Sequence, residues 1–254
     1  MDTKHYGAGY LQDTGDFLKQ LKIQSYSPFT TIKEGLLADL GCGTGMDAIN
    51  LANMLGSEVQ VIGVDHDAKL IDHAKAGSDG ISNVNFVQGE VYQLDFEDEE
   101  VSGVRMERLV QHLTDPQKMF REVYRILGKG QPVVIVETIW NSLTFYTQHV
   151  SIEAKICHYL TEEKVNNGWA GNKLTADLLA NGFQDVKLQT FCMVTRSKEE
   201  ANRYLFLDSI LLEMFEKGKL SQAEFDEFQQ TLKHLDETGC FLVSMNLVIA
   251  LAKK

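Results

Sequence analysis

The sequence predicts an α/β protein in which parallel strands alternate with helices. Residues 36–40 form an apolar run that leads into a glycine-rich loop and a helical pattern, and residues 59–65 form a β-branched run that ends in a carboxylate. Residues 132–137 are almost uniformly apolar, as expected of a central strand covered on both faces. The alternation from Asp39 to Glu137 implies right-handed crossovers, with any ligand at the carboxyl ends of the strands.

The loop after the first predicted strand contains three glycines, Gly41, Gly43 and Gly45, and apolar residues at helical spacing follow over residues 49–55. Glycine suits a loop that turns sharply and then approaches a ligand closely, because a Cβ atom would obstruct both. The three glycines alone also fit an ordinary turn between a strand and a helix. Together with the flanking strand and helix, they indicate a nucleotide-type pocket.

The spacing of these glycines separates two kinds of ligand. A dinucleotide-binding loop has the pattern Gly-x-Gly-x-x-Gly, but Met46 stands where its third glycine would be. Asp39, just before the loop, would face a pyrophosphate with like charge, whereas it would attract a cationic ligand. We therefore predict a pocket for a ligand without phosphates, and an NAD- or nucleotide-sugar-binding enzyme is the disfavoured alternative.

Asp39, Gly41, Gly43 and Gly45 match the pattern Asp-x-Gly-x-Gly-x-Gly. This pattern resembles motif I of the class I S-adenosylmethionine-dependent methyltransferases. The resemblance implies a Rossmann-like, doubly wound sheet of seven mostly parallel strands with an antiparallel last strand, and S-adenosyl-L-methionine as the cofactor. It also implies that the loop wraps the methionine and ribose parts of the cofactor, and that the acidic residue lies near the cofactor's amino group.

Asp65 ends the second predicted strand, twenty residues after Gly45. Its two carboxylate oxygens can accept both hydroxyls of a ribose, and a separation of about 20 residues is expected across one helix and one strand. We therefore assign Asp65 to the ribose and place the adjacent His66 in the same cofactor site. Asp67 can cap the helix predicted over residues 68–75, which is compatible with that assignment.

Two later segments resemble the same family. Gly89, Glu90 and Val91 stand where the family usually has a Gly-Asp pair, which contacts adenine through the acidic side chain and the next backbone amide. Because glutamate is longer than aspartate by one methylene group, the resemblance supports the amide of Val91 more than the side chain of Glu90. Residues 104–116 are similar to the fourth strand and following segment of the type 11 subgroup. By their position after that strand, Arg108 and Gln111 are candidates to bind the cofactor's carboxylate or the substrate, and a solvated or salt-bridged arginine is the alternative for Arg108.

Methyl transfer from a sulfonium is an in-line displacement, which needs alignment and exclusion of water more than side-chain chemistry. A general base helps when the acceptor is a hydroxyl or an acidic carbon, and histidine suits that role near neutral pH. His112 is the first candidate because it follows the fourth predicted strand, and His149 is the second, on the predicted lid. A histidine that only orders the loop before Pro116 is the alternative for position 112. His149 and Glu153 share a helical face, but two side chains are too few to predict a metal site.

The chain has 36 acidic and 24 basic residues and a net charge of −12, which disfavours nucleic acid as a substrate. Its four cysteines lie far apart without metal-ligand spacing, so we expect reduced thiols, no zinc site and a cytoplasmic location. The N-terminus lacks the apolar core of a signal peptide. The apolar run over residues 241–252 is shorter than the ~18 residues that span a bilayer, and we interpret it as a strand.

We expect one methyltransferase domain over residues 1–254. An apolar stripe at helical spacing predicts a capping helix over residues 6–24, which could close over the cofactor. Aromatic and aliphatic residues recur every three or four positions over residues 140–164, which predicts helices that form either core or a lid over the substrate. The expected parts are an N-terminal cap (1–35), a cofactor-binding core (36–137), lid helices (138–172), and the last strands (173–254) with a helical insert (198–235) that contains a Ser221–Glu224 capping box.

The sequence thus predicts an enzyme that moves a methyl group from S-adenosyl-L-methionine to an oxygen, nitrogen or carbon atom of a small molecule, for example a secondary metabolite or a quinone-like compound. Nothing in the predicted cap or insert chooses among these acceptors. A non-catalytic cofactor-binding protein is the alternative, because the motifs report a pocket and not turnover. We expect a monomer or a homodimer that neither binds nucleic acid nor enters a membrane.

Overall fold

Seven strands form one mixed sheet in the part of the chain that the computed structural model describes, which is Thr14 and residues 17–254. The strands are β1 (Gly35–Leu40), β2 (Val59–Asp65), β3 (Val84–Gln88), β4 (Gly103–Glu107), β5 (Pro132–Thr144), β6 (Gln184–Thr195) and β7 (Val243–Lys253). Their order across the sheet is β3-β2-β1-β4-β5-β7-β6. Neighbours among β1 to β5 pair in parallel, and β7 runs antiparallel to both of its neighbours. The predicted fold class is therefore confirmed, including the antiparallel last strand.

Helices connect the strands and cover both faces of the sheet. They are α1 (Lys19–Tyr26), α2 (Met46–Leu55), α3 (Ala68–Gly77), α4 (Pro116–Ile126), α5 (Val150–Tyr159), α6 (Ala170–Ala180), α7 (Lys198–Leu205), α8 (Leu207–Glu216) and α9 (Gln222–Glu237). One apolar cluster joins α1, α2, α3, α5 and the insert helices α7 to α9 to the sheet, and a second cluster joins α4 and α6 to it. On β5, Val134 and Val136 belong to the first cluster, whereas Val133 and Ile135 belong to the second. Alternate side chains of a strand point to opposite faces, so β5 is buried on both sides as predicted.

The strand order places a crevice beside β1. The chain runs outward from β1 through β2 to β3, and then returns to β4 on the other side of β1. The loops that leave the carboxyl ends of β1 and β4 therefore diverge, and ligands of open α/β sheets bind at such a point.

Several helix ends follow from local signals in the sequence, and the caps predicted at Asp67 and at Ser221–Glu224 are confirmed. Asp67 is the N-cap of α3, and its side chain accepts a backbone hydrogen bond from the first turn. Gly182 follows α6 with a φ of +89°, in the left-handed region that glycine adopts without strain. Ser221 and Glu224 form the capping box that begins α9. These signals depend only on residues a few positions apart, which is why the sequence reveals them.

The prediction of helices from residue 140 onward is wrong for its first part. β5 continues to Thr144, and α5 begins only at Val150. The reason is tertiary, because β7 pairs with β5 as far as Thr144 and this pairing overrides the helical spacing of the aromatic residues. Phe145 packs edge to face on Phe228 of α9, with 5.3 Å between the ring centroids. This aromatic residue therefore belongs to the core.

The described part of the predicted N-terminal helix is α1. The remaining predicted helical residues before Thr14, together with residues 15 and 16, lie outside the described residues. The buried face of α1 consists of Leu21, Lys22, Ser25 and Tyr26. Because three of these four side chains carry polar groups, α1 docks through polar contacts as well as apolar ones.

Among the residues that the structure describes, no helix combines the length and the apolar composition that crossing a bilayer requires. The same residues contain no group of three or more His, Cys, Asp or Glu side chains placed to hold a metal ion. The four cysteines are free thiols, of which Cys42 is buried.

Candidate active site

A cleft of about 410 Å³ opens to solvent at the carboxyl ends of β1 and β4. It is lined by the end of β1, the glycine loop, the start of α2, the end of β4 and one residue of α1. These residues are Lys22, Asp39, Gly41, Cys42, Gly43, Thr44, Met46, Asp47, Arg105, Glu107 and Arg108. The structure thus brings the predicted loop residues to the crevice where the strand order reverses.

The glycine loop has a backbone that other residues adopt poorly. Gly41, Gly43 and Gly45 have φ values of +71°, +54° and +79°. A Cβ atom at Gly45 would lie 2.6 Å from the ring of Phe86 and 2.8 Å from the Cβ atom of Ala74. The loop therefore packs tightly on β3 and α3, and it leaves its peptide groups at the cleft.

Asp65 ties the end of β2 to the glycine loop. Its Oδ2 accepts a hydrogen bond from the amide of Gly43 at 2.8 Å, and its Oδ1 accepts one from the amide of Asp67 at 3.0 Å. The Nδ1 atom of His66 lies 3.4 Å from the same Oδ1, and 58% of the His66 side chain is exposed. Asp65 and His66 thus stand beside the loop, while their contact with a ribose stays a prediction.

The segment predicted to meet adenine follows β3. The amide of Gly89 donates to the carbonyl of Asp65 at 3.0 Å, which joins this segment to the end of β2. Val91 is buried, whereas Glu90 is exposed. These three residues do not line the cleft, and their contact with adenine stays a prediction.

An ionic network that the sequence analysis does not predict crosses the cleft. Lys22 Nζ lies 2.9 and 2.7 Å from the two carboxylate oxygens of Asp47, and 3.1 and 3.0 Å from those of Glu107. Arg105 Nη1 lies 3.3 Å from Asp39 Oδ1 and 3.3 Å from Asp47 Oδ2. The network therefore joins α1, α2, β1 and β4. A signal was available in β4, where Arg105 and Glu107 interrupt an otherwise apolar strand.

Burial sets the charge states in this network. Only 1% of the Arg105 side chain and 7% of the Lys22 side chain are exposed. Burial acts to raise the pKa of Glu107, but Lys22, Arg105 and Arg108 hold that pKa well below its usual range. Burial raises the pKa of Asp39 to about 7, because the nearby Arg105 offsets only part of the loss of hydration.

Two buried side-chain oxygens have no hydrogen-bond partner among the described residues, and they are Asp39 Oδ2 and Glu137 Oε2. An unpaired buried acceptor is costly, so such an atom in a folded protein calls for an explanation. Asp39 lines the cleft. A donor or a cation bound there would meet a carboxylate that still has acceptor capacity.

A strained turn follows β4 beside the cleft. Arg108 has a φ of +51°, in the left-handed region that is unfavourable for a residue with a side chain. Its amide donates to the carbonyl of Val136 at 2.7 Å, and its guanidinium lies 3.3 Å from Glu107 Oε1. Arg108 lines the cleft, while its contact with a cofactor carboxylate or a substrate stays a prediction.

His112 ends the short 3₁₀ helix Val110–His112, which continues this turn. Burial lowers the pKa of His112, and the charges of Arg108 and His66 lower it further. The imidazole is therefore neutral at pH 7, and a neutral imidazole can accept a proton. His112 lies four residues after Arg108, which lines the cleft, but His112 itself does not line it. Its role as a base stays a prediction.

His149 is placed away from the cleft. It precedes α5, and its Nε2 lies 2.9 Å from Thr231 Oγ1 on α9. Its Nδ1 lies 3.7 Å from Glu227 on the same helix. The structure therefore does not bring the two predicted bases together, because the imidazole of His149 contacts α9 of the insert.

Glu137 is a buried acid that the sequence analysis treats only as the end of a strand. Its Oε1 accepts hydrogen bonds from the amide of Val110 at 2.5 Å and from the amide of Gln111 at 3.3 Å. Burial raises the pKa of Glu137 to about 8, against the opposite effect of these amides. A feature of the sequence could have singled out Glu137, since it is a charged residue at the end of a run that is otherwise apolar.

A family model described as a methyltransferase domain matches residues 37–130. The matched span runs from β1 to the residues after α4. It therefore includes the glycine loop, Asp65 and the turn after β4, but not the lid region or the insert.

Two relatives extend this comparison. An uncharacterised 37.1 kDa protein in transposon Tn4556 of Streptomyces fradiae is 27% identical over 215 residues, which cover 85% of this chain and 61% of the relative. The demethylmenaquinone methyltransferase of Staphylococcus aureus strain MRSA252 is 29% identical over 125 residues, which cover 49% of this chain and 52% of the relative. The chain thus spans between half and two thirds of the length of these relatives.

A solved structure has the same fold. Phosphoethanolamine N-methyltransferase 2 of Haemonchus contortus, in complex with S-adenosyl-L-methionine, gives a TM-score of 0.59 at 20% identity. The match covers 92% of this chain and 52% of the Haemonchus contortus chain. The sheet order, the glycine loop and the matched span define a protein with a methyltransferase domain. The chain thus carries a region similar to a methyltransferase domain over residues 37–130 and shares its fold with solved methyltransferases.

Proposed function

We propose that the protein transfers a methyl group from S-adenosyl-L-methionine to an oxygen, nitrogen or carbon atom of a small molecule. The observation that carries this proposal is the buried carboxylate of Asp39 at the cleft, whose Oδ2 has no partner among the described residues. A cation near the unpartnered Oδ2 of Asp39 would be stabilised, whereas a pyrophosphate placed there would be repelled by the ionised carboxylate. The match of residues 37–130 to a methyltransferase domain supports the same cofactor.

The residues at the cleft fit this cofactor in charge and in shape. Asp39 would hold the amino group of the methionine part, and Arg108 would hold its carboxylate. Asp65 would accept the ribose hydroxyls from the side of the glycine loop. Gly41 and Gly43 line the cleft, and the absence of a Cβ atom at these positions lets a ligand approach the peptide groups of the loop. When bound, S-adenosyl-L-methionine supplies an electrophilic methyl group on a positively charged sulfur.

The chain's own residues prepare the site in two ways. His112, whose lowered pKa keeps it neutral, would take the proton from an acceptor hydroxyl or an acidic carbon. Lys22 of α1 bridges Asp47 and Glu107 across the cleft, so α1 excludes water from that end of the site. His149, the second predicted base, has less support because α9 engages its imidazole.

The acceptor is proposed only by class. The net charge of −12 disfavours a phosphate backbone, and the relative from Staphylococcus aureus is named for a quinone-type acceptor, demethylmenaquinone. Both observations support a small molecule. The described residues of the cap, lid and insert do not choose among oxygen, nitrogen and carbon nucleophiles.

Calorimetric titration with S-adenosylhomocysteine and with NAD tests the cofactor. We expect S-adenosylhomocysteine to bind and NAD not to bind, because residues 37–130 match a methyltransferase domain and Met46 stands where a dinucleotide-binding loop has its third glycine. Binding of NAD together with no binding of S-adenosylhomocysteine would overturn the proposal.

Transfer of a radiolabelled methyl group from S-adenosyl-L-methionine to a panel of phenols, amines and quinols tests turnover. His112→Gln should lower the rate far more than it lowers cofactor affinity, if His112 is the base. His73→Gln, a change at an exposed histidine of α3, is the matched control and should leave both unchanged. Cofactor binding without transfer to any acceptor would favour the non-catalytic alternative.

A further inference from the structure

We propose that Glu137 is a positioning residue, which fixes the turn that carries Arg108 and His112 beside the cleft. The inference rests on the proposed function, because the exact placement of this turn matters only next to a methyl-transfer site. Glu137 does not line the cleft. It acts through the backbone of the turn and not on a ligand.

Glu137 holds the amide side of the turn. Its Oε1 lies 2.5 Å from the amide nitrogen of Val110 and 3.3 Å from that of Gln111. Both amides belong to the first residues of a 3₁₀ helix of three residues, which is too short to satisfy them internally. Val110 and Gln111 are buried, so no solvent would replace the carboxylate.

A second segment holds the carbonyl side of the same turn. The amide of Asn167 donates to the carbonyl of Gln111 at 2.9 Å, and its side-chain amide donates to the carbonyl of Val110 at 3.3 Å. The side chain of Asn166 donates to the carbonyl of His112 at 3.1 Å. Three successive carbonyls are therefore bonded opposite the two amides that Glu137 holds.

This second segment is itself held in place. A Cβ atom at Gly168 would lie 2.3 Å from the carbonyl oxygen of Thr161, so the chain after Asn167 is pressed against the π-helical residues 160–164. On the other side, Trp140 Nε1 donates to Gln111 Oε1 at 2.8 Å. The turn thus has one position, set by β5 and by the 166–168 segment.

The strain at Arg108 explains why such a clamp is needed. A residue with a side chain keeps a φ of +51° only when the surrounding structure over-determines it. The hydrogen bonds of Glu137 begin two residues after Arg108. Without them, the amides of Val110 and Gln111 would lose their acceptor on β5, and the positions of Arg108 and His112 would be less fixed.

The test observes His112 directly by NMR in the full chain, with neither cofactor nor acceptor present. The Hε1 signal of His112, assigned by its loss in His112→Gln, is followed over pH in the wild type and in two variants. Glu137→Ala should free the turn, move the imidazole away from Arg108 and raise the His112 pKa toward its ordinary value. The amides of Val110 and Gln111 should then exchange with solvent at least about tenfold faster. Glu137→Gln keeps an acceptor oxygen and should remain close to the wild type in both measurements.

The matched control is Glu224→Ala, because Glu224 also accepts a backbone amide bond, from Ser221 at 3.0 Å, but at the start of α9. It should lower stability without moving the His112 titration. If Glu137→Ala does not fold, Glu137→Asp replaces it, since the shorter side chain withdraws the oxygen from both amides. An unchanged His112 pKa with unchanged amide exchange in the folded variant would overturn the inference. That result is separate from a failure to bind S-adenosylhomocysteine, which concerns the proposed function.

Discussion

Two charged clusters in this molecule differ in their access to water. At the cleft, the side chains of Arg105 and Asp39 are 1% and 2% exposed. Between the lid and the insert, Lys164 and Lys217 both pair with Glu213 of α8, and 52% of the Lys217 side chain and 24% of the Glu213 side chain are exposed. The first cluster has lost its hydration and depends on internal partners, whereas water and salt screen the second.

The difference indicates what each cluster does. A buried network of this kind contributes little net stability, because desolvation offsets the attraction between its charges. It also leaves Asp39 Oδ2 without a partner among the described residues. The free-energy cost of this unpartnered oxygen is offset when a bound ligand donates a hydrogen bond to it. The exposed cluster around Glu213 needs no ligand, because it joins the π-helical residues 160–164 to α8 at the surface.

The largest expected effect is the loss of the buried cation. Arg105→Met should lower the free energy of unfolding by about 3–5 kcal/mol, because Asp39 is then buried without the cation that contacts it, while Glu107 keeps Lys22 and Arg108. Urea denaturation measures this change. Lys217→Met, in the exposed cluster, should cost far less, and equal losses in the two variants would erase the contrast between the clusters.

Two glycines with similar backbones extend the comparison from charge to packing. Gly45 in the loop and Gly218 after α8 have φ values of +79° and +68°, but only at Gly45 would a Cβ atom meet other atoms. Gly218→Ala should cost about 1–2 kcal/mol from the left-handed backbone alone. Gly45→Ala should cost about 1–3 kcal/mol more, because its Cβ atom collides with Phe86 and Ala74. Thermal unfolding of both variants measures the difference, and equal costs would mean that the loop has room to adjust.

Asp65 provides a test of binding in the first region. Asp65→Ala should weaken the binding of S-adenosylhomocysteine by about 1–3 kcal/mol, through loss of charge-assisted hydrogen bonds to the ribose and loss of the tie to Gly43. Calorimetry measures the affinity, and Asp79→Ala, at an exposed acid after α3, serves as the control. Unchanged affinity in Asp65→Ala would move the ribose site elsewhere.

The smallest expected effect is a dependence on pH. Because the pKa of Asp39 is raised to about 7, its carboxyl is mostly neutral at pH 6 and mostly ionised at pH 8. Only the ionised form attracts a cation, so affinity for S-adenosylhomocysteine should rise by about threefold to tenfold from pH 6 to pH 8. Asp39→Asn should remove this rise. Calorimetry at both pH values measures the affinity, and a rise that persists in Asp39→Asn would contradict the assignment.

The same pKa also links Asp39 to stability. The folded protein keeps the Asp39 proton to a higher pH than the unfolded chain, whose aspartate titrates near pH 4. Stability should therefore fall as the pH rises from about 4 through 7, and the Asn variant should lack this contribution. Denaturation curves at several pH values measure it.

The sequence predicts the first half of the molecule better than the second. The bounds of β2 agree with the predicted run, and the loop from Asp39 to Gly45 lies at the predicted crevice. In the second half, β5 extends seven residues beyond the predicted strand end at Glu137, to Thr144. The first half consists of repeated strand and helix units whose patterns are local, whereas the extension of β5 depends on pairing with β7 about a hundred residues later.

The candidate site divides in the same way. Its glycines, Asp65 and Arg108 could be found from the sequence, because a motif keeps each of them at a set distance from its neighbours. Lys22 and Glu137 could not, because each meets partners that lie 25 or more residues away.

By itself, the sequence determined the fold class, the glycine loop and the helix caps, since backbone conformation and apolar period are properties of short segments. Only the tertiary structure decided which charges share the cleft and which carboxylate oxygens lack a partner among the described residues. It also decided that His149 contacts α9, whereas His112 lies in the turn that begins at the cleft. The physical reason is that the order of the strands, and not their spacing along the chain, brings distant side chains into one low-dielectric site.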